Sequence, residues 1–152
     1  DRVQRGEAVF TEAELRGSSL FNNETGDCFH CHGQIFGFDR DFHDIGLDEV
    51  PVDPGLGGIT GIPADLARFK TPSIRNVAVS APYMHDGRFE TLDEVFAHYD
   101  GGFSRRTGVD PLMLVRLDLT PENIADLKAF LETLTDQEFL TNPAFSDPFA
   151  AP

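Results

Sequence analysis

The sequence predicts an all-α domain with long irregular loops and minor β structure at most. Three observations carry this reading: helix-capping patterns at Thr11, Thr91 and Thr120, apolar residues at helical spacing after them, and a Gly/Pro/Asp-rich middle. Thr11 followed by Glu14 is a capping box for a helix to about Asn22, with Ala13, Leu20 and Phe21 as a weak stripe around Gly17. A short helical turn is expected between Gly26 and Gly33. From Gly37 to Pro72 the chain has loop composition, including GLGG at Gly55 to Gly58. A loop of that length is unusual without a functional reason. Thr91 and Glu94 form a second capping box, and Leu92, Val95, Phe96 and Tyr99 share one face of a helix ending at Gly101 and Gly102. Thr120 caps a third helix with Pro121 at its first position and Ile124, Leu127, Phe130, Leu131 and Leu134 as its stripe. Residues 137–152 read as an extended, Pro-punctuated tail along the surface of a single domain covering 1–152.

The 152 residues, with 40% hydrophobic, suffice for one domain with a real core. No apolar run approaches the roughly 18 residues of a spanning helix. DRVQRGEAVF lacks the layout of a signal peptide, so an exported protein would have shed its signal; a fragment of a longer chain reads the same. Acidic residues outnumber basic ones by 26 to 12, a formal charge of −14. That balance repels nucleic acid and anionic membranes and favours basic partners, although a surface tuned for solubility has the same composition.

The two cysteines sit in Cys28-Phe29-His30-Cys31-His32. This is C-x-x-C-H, the attachment pattern of haem c. Each thiol can add to one porphyrin vinyl, and the adjacent His32 then coordinates the iron from the proximal side. A zinc site would want a second ligand pair at the usual spacing, and none follows. A thioredoxin-like redox pair would want a βαβ frame. The 14 phenylalanines and the absence of Trp suit an apolar pocket around a flat cofactor, and equally a plain core.

FHDIGL (Phe42 to Leu47) and FKTPSIRNVAVSAPYMHDGRFETLDEV (Phe69 to Val95) extend the pattern. With these blocks the chain resembles the C-terminal haem domain of bacterial di-haem cytochrome c peroxidases, and of the MauG-like proteins within that group. The similarity runs from TEAELRGSSLF to LTPENIADLKAFLETLTD. It implies a cytochrome c-like haem domain. In full-length relatives this domain holds the haem through which electrons arrive, while a preceding domain holds the haem that meets peroxide. This sequence has a single C-x-x-C-H. The expectation is a monohaem c-type cytochrome domain mediating electron transfer. The alternative is part of a cytochrome c peroxidase or MauG-like oxidase whose second haem domain lies outside this sequence, and whether the chain is itself an enzyme stays open.

The resemblance also implies site residues. The distal ligand is Met in the peroxidases and Tyr in the MauG-like proteins, and the matching position is Tyr99. A core tyrosine bonded to a backbone acceptor is the plainer account of that residue. Met84 is the alternative ligand. His85 and Asp86 lie in the specific block, as residues near the haem or as a turn. Arg75 and Lys70 are candidates for pairing with haem propionates, or ordinary surface charges. Calcium is implied at the positions of Ser80 and Pro82. His30, His43 and His98 carry no assignment, and Met113 reads as core. The implied partners are a small cytochrome or cupredoxin, or a haem-containing partner domain. Because haem c is assembled outside the cytoplasm, a periplasmic or otherwise exported location follows.

Overall fold

The computed structural model describes residues 2–33, 37–147 and 149. Its helices are α1 (Glu12–Phe21), α2 (Phe29–His32), α3 (Gly57–Thr60), α4 (Leu92–Ala97), α5 (Pro121–Glu132) and α6 (Gln137–Thr141). The strand content is small: β1 (Phe42–His43) pairs antiparallel with β2 (Phe69–Lys70), Phe42 facing Lys70 and His43 facing Phe69. Short 3-10 turns at Pro63–Asp65, Val77–Val79, Pro111–Leu114 and Pro143–Phe145 complete the regular structure.

The predicted caps form. Thr11 N–H donates to Glu14 Oε2 (2.6 Å) while Glu14 N–H donates to Thr11 Oγ1 (3.3 Å), so two orphan donors of α1 are satisfied reciprocally. Thr91 and Glu94 do the same for α4, and Thr120 pairs with Asn123 at the start of α5. One element departs from expectation. The helix after Thr91 is α-helical only to Ala97 and then widens into a π-type turn, His98–Gly102, in which Gly101 takes φ 123°. Tyr99 therefore sits in this wider turn, where the extra residue re-aims side chains. The tail also differs, because residues 137–145 wind into α6 and a 3-10 turn rather than extending. Asp136 explains this, since its side chain accepts Phe139 N–H (3.0 Å) as an N-cap. The tail positions 148 and 150–152 lie outside the described residues.

α1 and α5 form the frame. A Cβ on Gly17 would lie 1.9 Å from the Asp126 carbonyl oxygen, so only glycine permits the two backbones to touch. Around that crossing Phe21, Phe96, Leu119, Leu127, Phe130 and Leu131 are buried, and Cys28, Ile74 and Val77 pack against them. Leu127 is wholly excluded from solvent, worth about 1.5–3 kcal/mol for such a side chain. The Phe21 and Phe130 rings meet at 5.3 Å. Arg16 grips Asp126 with a two-pronged bond, Nε to Oδ2 at 2.7 Å and Nη2 to Oδ1 at 2.8 Å. Met113, expected in the core, is only half-buried, in a turn whose Leu112 and Leu114 are exposed.

Two outcomes follow from the crossing. Gly17→Ala should force α1 and α5 apart and lower unfolding stability by about 1–3 kcal/mol, read as a lower midpoint in urea, despite alanine's better helix propensity. The Arg16 guanidinium also holds the Asp126 carboxyl below its ordinary value. A carboxylate depressed only in the fold stabilises above its unfolded pKa, and that gain is lost as pH falls through the folded value. Asp126→Asn should therefore flatten the loss of stability that the parent protein shows between about pH 5 and pH 2.

Candidate functional site

The site is hung from the end of α1. Gly26 folds the chain back so closely that a Cβ there would lie 2.4 Å from the Leu20 carbonyl oxygen. α2 then carries Cys31 and His32, with Cys28 just before its first residue. Residues three apart on a helical turn share a face, so both sulfurs point the same way. The thiols are unpaired and half-buried, and Cys28 Sγ donates to the Gly26 carbonyl (3.1 Å). Burial pushes the Cys28 thiol up to about 12, with Asp27 adding to the effect. Burial, then Asp39 and Asp110, raises Cys31 to about 11. Both are neutral thiols at pH 7.

His32 Nδ1 donates to the Gly37 carbonyl (3.0 Å). Burial lowers its pKa against the pull of the Gly37 and Pro72 carbonyls, so the ring is neutral and Nε2 carries the lone pair. A hydrogen bond fixing one ring nitrogen so that the other can bind metal is the usual support of a ligating histidine.

The π-type turn brings Tyr99 to this place. Burial raises its phenol well above the ordinary tyrosine value, and Cys31 and Cys28 stand close enough to add to the shift. No hydrogen bond to its hydroxyl is found among the described residues. Tyr83 makes the contrast, because its hydroxyl does find a backbone acceptor, Val77 O at 2.9 Å. Met84 is half-buried and takes φ 72° in the loop closed by pairing of Tyr83 with Phe89. His85, exposed, stacks on Phe69 at 3.6 Å and 11°. Asp86 holds Arg88 (2.8 Å), which reaches Asp48 (2.7 Å) and the Leu47 carbonyl (3.0 Å), so the His-Asp-Gly block ties down the long loop.

The remaining expected residues lie on the segment from Lys70 to Pro82. Arg75 is exposed in the turn before Val77. Lys70 is engaged over the Phe38 ring (4.0 Å) and with the Thr71 carbonyl (3.3 Å). Ser80 and Pro82 are exposed on one loop. Two histidines left without a role prove to be held. His98 is buried and bonds the Ile45 carbonyl through Nε2 (3.0 Å). His43 is clamped by Asp39 and Asp110, each at 2.7 Å. Only the Asp39–His43 spacing was a local signal for that clamp. Among the described residues no helix is long and apolar enough to cross a membrane.

No family model matches the chain. It is 33% identical to a cytochrome-c peroxidase of Denitromonas iodatirespirans, over 97% of this chain and 46% of that protein. It is 37% identical to the methylamine utilization protein MauG of Paracoccus denitrificans, over 91% of this chain and 46% of that protein. Among solved structures it matches a MauG-like protein associated with microbial copper homeostasis, with TM-score 0.89 and 38% identity, covering 98% of this chain and 51% of that one. The diheme peroxidase BthA from Burkholderia thailandensis follows with TM-score 0.70 and 25% identity, over 89% of this chain and 45% of that one. The chain thus spans about half the length of the relatives it matches.

Proposed function

The chain belongs to the bacterial di-haem cytochrome c peroxidase and MauG family, and from that premise we propose that it is a monohaem c-type cytochrome domain that transfers electrons. Haem c is the cofactor this membership implies, and the chain's own residues fit it. Cys28 and Cys31 present unpaired sulfurs on one turn, and His32 presents a neutral imidazole with Nε2 available. In this reading the two sulfurs would hold the group covalently, and His32 and Tyr99 would be the ligands to its iron. When bound, haem supplies an iron that accepts and returns one electron.

The observation that carries the reading is the convergence of Tyr99, with no partner for its hydroxyl among the described residues, on the cysteine turn. A phenol in that position would satisfy its oxygen by losing its proton to solvent and offering the phenolate oxygen to a metal cation, as coordinating groups do. Phenolate oxygen favours oxidised iron, whereas the thioether of Met84 would favour the reduced state. With His32 and Tyr99 both serving as ligands, the group would be held for electron transfer rather than left open to peroxide.

The extent of the relatives supports a second reading at the level of the whole protein. They are about twice as long as the matched segment. The domain would then work beside a second haem domain in a peroxidase or MauG-like oxidase, fed by a small cytochrome or cupredoxin. The net charge of −14 favours a basic donor. Covalent attachment of haem, which is assembled outside the cytoplasm, supports a periplasmic or otherwise exported location. Calcium at the Ser80 and Pro82 carbonyls would need most of its six to eight oxygens from elsewhere.

Visible and near-infrared spectra of the mature protein test this. Sharp c-type bands on reduction, pigment that stays with the polypeptide in acid acetone, and no titratable thiols in denaturant are expected. The weak ferric sulfur-to-iron band should be absent; its presence would transfer the distal role to Met84. His32→Ala should abolish the low-spin spectrum, and Tyr99→Phe should alter the ferric spectrum while Met84→Leu leaves it unchanged. A colourless mature protein overturns the proposal.

A further inference from the structure

We infer that His43, held between Asp39 and Asp110, is a proton site whose occupancy follows the oxidation state of a haem carried on α2. The inference rests on the haem reading above and adds a linked proton to it. His43 Nδ1 meets Asp110 Oδ2 and His43 Nε2 meets Asp39 Oδ2, both at 2.7 Å. The side chains are 15% (His43), 15% (Asp110) and 18% (Asp39) exposed. A neutral imidazole has one N–H and one lone pair, and an ionised carboxylate only accepts. A ring with a carboxylate on each nitrogen therefore needs a second ring proton, or a proton on one Asp, to satisfy both contacts.

The carboxylates are held as acceptors by other donors. Asp39 Oδ1 accepts Asp41 N–H (2.9 Å), and the Thr71 hydroxyl also donates to Asp39. Asp110 Oδ1 accepts Leu112 N–H (3.0 Å). Burial alone would lower the His43 pKa, but Asp110 and Asp39 outweigh it and raise it.

Position couples this trio to the cysteine turn. Cys31 Sγ, an Asp39 oxygen and a His43 ring nitrogen all lie within 4.8 Å of one another. Among the described residues the charged and titratable groups around His43 include Asp39, Arg40 and Asp41 on its own segment, Asp110 from the segment before Pro111, and Cys31 and His32 on α2. Lys70, across the β1–β2 pair, is turned to the Phe38 ring. The neighbourhood is dominated by carboxylates, so a proton there responds to a change of charge next door.

The exchange balances simply. A one-electron donor, a small redox protein or an electrode, reduces ferric to ferrous iron, and one proton from solvent enters the trio; oxidation releases both. The added electron raises the proton affinity. At acid pH the trio is protonated in both oxidation states and the midpoint potential is flat. The potential then falls with rising pH between the two pKa values and levels off above them. Burial of the ring draws the window down in pH, and the Asp110 and Asp39 carboxylates draw it upward. Each tenfold difference in proton affinity between the states moves the potential by about 59 mV across the window.

Potentiometric titration of the haem-loaded protein from about pH 5 to pH 10 reads this directly. The wild type should show the sloping window, His43→Asn should abolish it, and Asp110→Asn should move it to lower pH. A flat wild-type profile, or a slope that survives in His43→Asn, overturns the inference. If His43→Asn does not fold, Asp110→Asn decides, and an unmoved window is the negative result. A mature protein without c-type bands fails earlier, on its spectrum alone, and removes the haem reading rather than the proton site.

Discussion

Everything at the site depends on one backbone contact, the crossing of α1 and α5 at Gly17. Main chain meets main chain at the Asp126 carbonyl, where not even a methyl group would fit. Such close approach lets Phe21 and Phe130 interlock and sets the direction in which α1 ends. The cysteine turn starts a few residues later and leans on the same core through Cys28. The Arg16–Asp126 bond reinforces the crossing from outside, where a two-pronged geometry makes an otherwise weak surface pair specific.

Away from this frame the apolar core thins, and polar stitches take over. The loop between α2 and β2 leaves Val50, Val52 and Ile59 largely in solvent. It is held by directed bonds instead. Asp44, 2% exposed, accepts from Arg106 (2.8 Å), His98 binds Ile45, and Arg88 binds Leu47 and Asp48. The FHDIGL and His-Asp-Gly blocks are therefore two halves of one clasp. Their residue types follow from the need to satisfy buried donors and acceptors where little hydrophobic burial is available.

What was legible in the sequence was local. Thr11, Thr91 and Thr120 announce their helices because the capping partner lies three residues on, and the Cys28–His32 turn declares its chemistry within five residues. Tyr99 was expected to point inward from α-helical periodicity; it is found beside the cysteine turn, but through a π-type turn that a 3.6-residue rule does not encode. The His43 clamp was invisible because Asp110 lies 67 positions away. The contact of the Lys70 ammonium with the Phe38 ring likewise had no local signal. The helical turn at Gln137 had its signal in Asp136, outweighed by the prolines that follow.

The burial of the two sulfurs bears on the order of events in the life of the chain. Nucleophilic sulfur is thiolate, and thiols displaced to about 12 and about 11 are almost wholly protonated at neutral pH. Sulfur chemistry is therefore far easier on a chain that has not yet closed. Closure needs α5, whose Asp126 lies 110 positions after Arg16. A chain that emerges amino end first shows its cysteines long before it can bury them. Cys28 leans on the core that α5 completes, so the burial of its sulfur waits on the last long helix.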